Sequence, residues 1–260
     1  MAEAMIEMKI SAVIIAFNEE DRLLDALKSL TDVADEIIVV DSYSTDRTPE
    51  ITRQAGAVLY QNRFEDYGRQ KNFAMQKASH DWVLNLDADE RVAPELAQSI
   101  SELKKNGPPA NVAAFAINRK AFYLGRWITH SGWYPDKKVR LFRKANAHWQ
   151  GRIHEKLVVK GKTGYLSGVI LHYTYRNITD HVHRLSRYTS LQAEEILKQK
   201  KKFLLVRVFF LPSTTFIRHY FIKLGFLDGL AGFVIALLSS WATALKYLKA
   251  IELKRANPAL

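Results

Sequence analysis

Trp82-Val83-Leu84-Asn85-Leu86-Asp87-Ala88-Asp89-Glu90 is an apolar run that ends in two aspartates one residue apart. Such a run reads as a strand buried on both faces, with its carboxylates at the C-terminal edge. In an open α/β sheet that edge is where ligands bind. Neighbouring carboxylates repel each other unless a cation sits beside them. Their hard oxygens suit Mg2+ or Mn2+, ions that commonly grip a diphosphate. The stretch therefore points to a metal-assisted site for a phosphorylated substrate. Acidic turns after strands are common, so the flanking chain has to decide.

Outward from this run, the pattern alternates. Residues 9–16 read as a first strand, followed by Asn18, Glu19 and Glu20 as a turn and helix start. Leu23, Leu24, Leu27 and Leu30 then recur at helical spacing. Residues 36–40 form a second strand that ends at Asp41, before the polar turn at residues 42–48. Thr48 followed by Pro49 predicts an N-cap and first helical position, with Gly56 as the stop. Residues 57–60 make a short third strand and 67–79 a helix with Phe73 and Ala74 facing inward. After the central run, residues 94–104 are helical up to the Gly107-Pro108-Pro109 break, and 113–118 form a fifth strand. This alternation predicts an α/β fold, a mostly parallel three-layer sheet flanked by helices. Residues 121–175 turn short, aromatic and β-like, residues 178–199 are helical, and residues 203–254 are apolar and helical with a break at Pro212.

The 260 residues suffice for one α/β domain with an appendage, and 48% hydrophobic content argues against disorder. With no cysteine, disulfide and thiol chemistry are excluded, and a cytosolic setting is compatible. Residues 1–9 carry Glu3 and Glu7 and lack the apolar core of a signal peptide. The net charge of +11 fits nucleic acid, an anionic membrane surface or phosphorylated substrates. Lys198, Lys200, Lys201, Lys202 and Arg207 cluster just before the apolar tail, which favours the membrane surface over a merely solvated face. Residues 229–245 hold no charged residue and are just long enough to span a bilayer, which takes about 20 apolar residues. Ser239, Ser240 and Thr243 within the stretch and Asp228 at its end favour helices lying in the interface over a span or simple burial.

Asn18 and Glu19 follow the first strand, Asp41 the second, and Asp87 and Asp89 the fourth. In a parallel sheet these positions share one edge, so their polar groups converge.

Three segments carry a resemblance: Ile14-Ile15-Ala16-Phe17-Asn18-Glu19-Glu20, the run from Ile38 through Asp41, Ser44 and Asp46 to Thr48, and Leu86-Asp87-Ala88-Asp89-Glu90. Together they resemble the signature of family-two glycosyltransferases, inverting enzymes of GT-A fold that use nucleotide-diphosphate sugars. Gly132-Trp133-Tyr134-Pro135-Asp136, Val139-Arg140-Leu141-Phe142-Arg143, Gly151-Arg152-Ile153-His154-Glu155-Lys156 and Gly225-Phe226-Leu227-Asp228-Gly229 resemble a narrower group. That group is the lipopolysaccharide inner-core β-glucosyltransferases, which add glucose to a heptose.

The resemblance implies a GT-A catalytic domain over residues 1–177 and a membrane-associating helical region over 178–260. It implies that Phe17 and Glu19, flanked by Ala16 and Asn18, line the nucleobase pocket. Asp41 would accept from the uracil imide, or else cap its own turn. Ser44 and Asp46 would sit by the diphosphate, where capping is again the other reading. Lys71 would neutralise phosphate, or else be an exposed helical lysine. Asp87 and Ala88 would serve the nucleoside side. Asp89 would bind Mg2+ or Mn2+ directly, with His154 as a second ligand or a structural histidine.

Inversion needs a general base opposite the leaving group. Asp136 is the candidate, with an aromatic loop beside it to raise its basicity by desolvation, unless it only pairs with Arg140 or Arg143. Glu155 and Glu90 are the other candidates. Trp127, His130 and Trp133 are candidates to shape an acceptor pocket. Arg140, Arg143 and Lys144 are candidates to read acceptor phosphates, and Arg152 and Glu155 to reach the diphosphate. Core aromatics and surface basics are the plain alternatives. The implied partners are a UDP-sugar donor, a lipid-linked core oligosaccharide and an anionic membrane surface, on the cytoplasmic side of the inner membrane. A sugar nucleotidyltransferase would place a Gly-rich loop where Ala16-Phe17-Asn18-Glu19 stands. Nucleic acid is not expected, because no reader motif is present.

Overall fold

A computed structural model describes residues 8–151, 155–199 and 203–256. The chain divides into two compact units, the first Met1–Arg119 with Asp136–His172, the second Lys120–Pro135 with Tyr173–Leu260.

The first unit begins β1 (Ile10–Ala16), α1 (Leu23–Lys28), β2 (Glu36–Asp41), α2 (Thr48–Gln54), β3 (Val58–Gln61), α3 (Tyr67–Lys77) and β4 (Trp82–Asp87). Then come β5 (Glu90–Val92), α4 (Pro94–Asn106) and β6 (Val112–Tyr123), whose last residues pair with β7 (Arg126–Trp127) in the second unit. The first unit resumes with β8 (Asp136–Arg143), β9 (Ala147–Gln150), β10 (Lys156–Val159) and β11 (Lys162–His172). The sheet runs in the order β3-β2-β1-β4-β8-β6-β11-β5, and β9 and β10 form a separate hairpin.

β3, β2, β1 and β4 are parallel, and β8 and β6 continue the sheet antiparallel. In β4 the residues Trp82, Val83, Leu84, Asn85 and Leu86 are all buried, as a strand covered on both faces must be. The register sets Ala16 opposite Asp41 and Ile15 opposite Asp87, so three strand ends come level at one edge. Ile14, Leu84, Leu86, Leu96 and Ile117 pack into one apolar layer, while Val13, Ile38, Ala74 and Phe142 pack into the other.

Three local expectations are corrected. Thr48 is inside α2 rather than its cap; Arg47 holds the cap position, and the Thr48 hydroxyl oxygen instead accepts from the Glu19 N–H at 2.8 Å. The expected fifth strand at 113–118 is the middle of the longer β6 and follows the unexpected β5. In the second unit α6 (Leu204–Ile217) runs through Pro212, and the chain breaks later, in a π-type turn at Arg218–Ile222 and a 3-10 turn at Gly225–Asp228. Pro212 has no N–H to donate to the Val208 carbonyl, and its own carbonyl accepts from the Ser240 hydroxyl of α7 (Gly229–Ala256) at 2.8 Å. The remaining helix is α5 (Ile178–Lys198), capped by the Asn177 side chain, which accepts from the Asp180 N–H.

Candidate active site

The level strand ends of β1, β2 and β4 carry the site. At the end of β2, Asp41 is fully buried and accepts from the Ser44 N–H at 3.1 Å, the Ser44 hydroxyl at 2.5 Å and Gln61 Nε2 at 3.3 Å. It thus caps its own turn. Asn18, held at φ +54°, donates its N–H to the Ser44 hydroxyl at 2.8 Å and accepts from the Thr45 N–H at 2.9 Å. Asp46 accepts from the Glu20 and Thr48 N–H groups. Burial alone raises its pKa, but these bonds favour the charged form, and the net shift is downward. Two turns, after β1 and after β2, are therefore laced into one polar rim. Phe17 and Tyr43 stand exposed on that rim, at 57% and 56%. Ala16 and Ala88 are buried at its base.

At the end of β4, Asp87 lies between two cations. Lys71 Nζ, from α3, is 3.1 Å from Oδ1, and Arg140 Nη2, from β8, is 2.8 Å from Oδ2. Burial pushes the Asp87 carboxyl up, yet Arg140 and Lys71 hold it well below the ordinary carboxylate range. Lys71 also reaches Glu155 Oε1 at 3.0 Å, sits over the Trp149 ring and is only 4% exposed, so it is no surface lysine. Arg140 is equally buried and also grips Glu90 Oε1 at 2.5 Å. Burial disfavours its charge, but Asp87 and Glu90 more than restore it, and its pKa is raised. Glu90, fully buried, accepts from the Asp87 N–H at 3.0 Å and pairs with Arg119 at 3.3 Å.

Asp89 is separate from this cluster. Arg22 Nη1 and His172 Nε2 approach it at 3.5 Å and 3.4 Å, both on Oδ2. Among the described residues no cluster of three or more acidic or imidazole side chains surrounds a metal position. One carboxylate beside an imidazole nevertheless fits Mg2+ or Mn2+, because such ions complete their shell with substrate oxygens and water.

Asp136, the first residue of β8, accepts from Arg119 Nε at 2.9 Å and Nη2 at 2.7 Å, and pairs with Lys138 at 3.1 Å. Its partners are therefore not Arg140 or Arg143. The expected gain in basicity does not occur: burial raises its pKa, but Arg119 and Lys138 outweigh it and the net shift is downward. Arg152 and His154 lie outside the described residues, as do Lys200, Lys201 and Lys202.

Trp133 belongs to the second unit, where it packs against Tyr123, Tyr175 and His181. There the Tyr123 hydroxyl and His181 Nδ1 are 2.7 Å apart. Burial pushes Tyr123 up to about 12 and His181 down to about 4.

The sequence places Asn18, Glu19, Asp41, Asp87 and Asp89 at one edge but gives no sign of Arg22, Arg119 and His172. Arg119 sits in an alternating strand, and His172 ends a strand more than eighty residues along from Asp89; neither position carries a local signal.

A family model described as Glycosyl transferase family 2 matches residues 11–160. An uncharacterized glycosyltransferase of Rickettsia typhi is 33% identical over 255 residues, covering 94% of this chain and 87% of that protein. The lipopolysaccharide core biosynthesis glycosyltransferase LpsC of Rhizobium meliloti is 28% identical over 239 residues, covering 89% and 87%. A glucosyl-3-phosphoglycerate synthase of Mycobacterium tuberculosis, solved with Mn2+, UDP and phosphoglyceric acid, is 26% identical over 45% of this chain and 44% of that one. Its TM-score of 0.36 is too low to bear on the present site.

Proposed function

Because the chain belongs to glycosyl transferase family 2, we propose that it transfers glucose from UDP-glucose to a heptose of the lipopolysaccharide inner core, inverting the sugar carbon. The observation that carries this reading is the level edge formed by Ala16, Asp41 and Asp87, with cations at Asp87 and a separate carboxylate at Asp89. Similarity to LpsC along most of both chains supports a core-oligosaccharide acceptor.

In this reading the exposed Phe17 ring and Glu19 meet the uracil, and Asp41 serves the imide N–H while holding its turn. Ser44 and Asp46 lie beside the diphosphate. Asp87, kept ionised by Lys71 and Arg140, accepts from the ribose hydroxyls. Lys71 and Glu155 form a charge pair that adjusts when phosphate arrives. Asp89, with His154 or His172, would hold Mg2+ or Mn2+. Such an ion, when bound, stabilises the negative charge that grows on the departing nucleoside diphosphate.

Asp136 takes the acceptor proton. Its lowered pKa keeps it deprotonated at neutral pH but makes it a weak base while Arg119 is paired with it, so proton transfer is coupled to loosening of that pair. Trp133 is assigned to the acceptor sugar.

Residues 1–177 form the catalytic part, and 178–260 seat the enzyme on the cytoplasmic face of the inner membrane, peripherally or monotopically. The exposed apolar face of α6, including Phe209 and Phe210, supports this. The test is turnover of purified enzyme with a panel of nucleotide sugars and a heptose-terminated lipid core. Glucose transfer from the UDP donor is expected. Turnover of a different donor with none from UDP-glucose overturns the donor assignment.

A further inference from the structure

The second unit contains a buried acid that the reaction does not use. From residue 203 to residue 251 the only acidic residue is Asp228, while Arg207, Arg218, Lys223, Lys246 and Lys249 are basic. Asp228 is fully buried in the 3-10 turn Gly225–Asp228. Its Oδ1 accepts from the Thr129 N–H at 3.1 Å and the Thr129 hydroxyl at 3.2 Å. Its Oδ2 accepts from the His130 N–H and the Ser131 hydroxyl, both at 2.9 Å. The π-type turn holds the same loop from its other side: Ser131 donates its N–H to the Lys223 carbonyl at 2.9 Å, and His219 Nδ1 lies 2.7 Å from the Ser131 carbonyl. A Cβ at Gly232 would come within 1.8 Å of the Gly225 carbonyl oxygen, so only glycine lets α7 close on this turn.

The outside of the same turn is apolar. Ile222, Leu224, Phe226, Leu227 and Leu230 are exposed, Leu230 at 74%. With its one acid buried and bonded, the surface of residues 203–251 carries positive charge only, which complements an anionic lipid surface. α7 is also packed at both ends. Ala231 and Ile235 lie against Tyr123 and Ile128, and Tyr247 and Ala250 against Ala193 and Ile196 of α5. By length and composition Gly225–Ala256 is apolar enough to cross a membrane, and it is this packing at both ends that supports the interfacial placement instead.

We propose that Asp228 is a positioning residue that couples a lipid-seated turn, residues 221–230, to the loop of residues 129–132, so that docking on anionic lipid orders that loop. The loop leads directly into Trp133-Tyr134-Pro135-Asp136. The proposal rests on the membrane reading above and adds to it a route from lipid to loop. The linkage is thermodynamic: a surface that binds only the closed turn stabilises everything tied to that turn.

The test is amide hydrogen exchange of the full chain with and without phosphatidylcholine vesicles containing phosphatidylglycerol, alongside co-sedimentation. In the native chain, vesicles should slow exchange at Thr129, His130 and Ser131 by about tenfold or more. Asp228→Asn presents an N–H to donors that need an acceptor. It should still sediment with vesicles and protect residues 221–230, but lose the vesicle-induced slowing at 129–131. Should Asp228→Asn fail to fold, Leu230→Glu leaves the loop bonds intact and must lose both sedimentation and the added loop protection. Vesicle binding without added loop protection in the native chain overturns the coupling and leaves the membrane reading standing. So does equal protection in Asp228→Asn or Leu230→Glu. No vesicle binding by the native chain overturns both.

Discussion

Replacing Arg140 by Met removes the cation shared by Asp87 and Glu90 while keeping most of its apolar bulk. Arg140 is 4% exposed, with 2.8 Å and 2.5 Å contacts to those two carboxylates. Deleting one partner of a buried ion pair costs about 3–5 kcal/mol, because the other charge stays behind without compensation. Here Asp87 keeps Lys71 at 3.1 Å and Glu90 keeps Arg119 at 3.3 Å, which sets the expectation at the lower end, ~3 kcal/mol. At about 2–4 °C per kcal/mol this lowers Tm by roughly 6–12 °C. Urea unfolding followed by circular dichroism gives the free energy, with an unchanged slope as the check on two-state behaviour. Adding Asp87→Asn to Arg140→Met should recover part of the loss, because the second change removes a charge the first one stranded. A loss below about 1 kcal/mol, the size of an exposed pair, refutes the reasoning, as does strict additivity in the double variant.

Asp35, Glu36, Asp46, Asp87 and Asp136 all have carboxyl groups held below their ordinary pKa in the folded chain. Their stabilisation is therefore complete above the ordinary carboxylate range and is lost as pH falls through the lowered folded values. Thermal melts from about pH 6 to about pH 3 should show falling Tm, and a flat profile contradicts it. Gly168 has φ +91°, and a Cβ there would lie 2.5 Å from the Leu96 nitrogen. Gly168→Ala should cost more than ~1 kcal/mol by thermal melt, and a neutral result would mean that β11 and α4 are not so closely apposed. Asp136→Asn should abolish transfer and leave UDP binding intact; retained turnover removes Asp136 from the role of base.

The parts of the fold legible in the sequence are those set by local pattern. The apolar runs of β1 and β4 read as strands, that of β4 as one covered on both faces, and Gly56 and Gly107, at φ +74° and +73°, mark helix ends as glycines there should. β5 was not legible: three residues are too few to show a period, and they pair with β11 from far along the chain. Pro212 misled because one missing N–H costs a helix a single bond without ending it; α6 continues to Ile217, tied to α7 where Ser240 donates to the Pro212 carbonyl. At the site, acidic residues at strand ends were legible, since topology alone makes them converge. Of what compensates them, only the capping of its own turn by Asp41 was legible; that Asp87 faces two cations and that Arg119 holds both Glu90 and Asp136 was not. Such pairings depend on which strands lie side by side, and β8 beside β4 is a feature of the folded sheet.

The division of labour between the two aspartates is open to calorimetry of UDP binding with and without Mn2+, on the native chain and on Asp89→Asn. The native chain should bind UDP more tightly with Mn2+, and Asp89→Asn should lose that increment while keeping the metal-independent part supplied by the rim and Asp87. An Asp89→Asn chain that gains as much affinity from Mn2+ as the native chain would contradict the assignment of Asp89 to the metal.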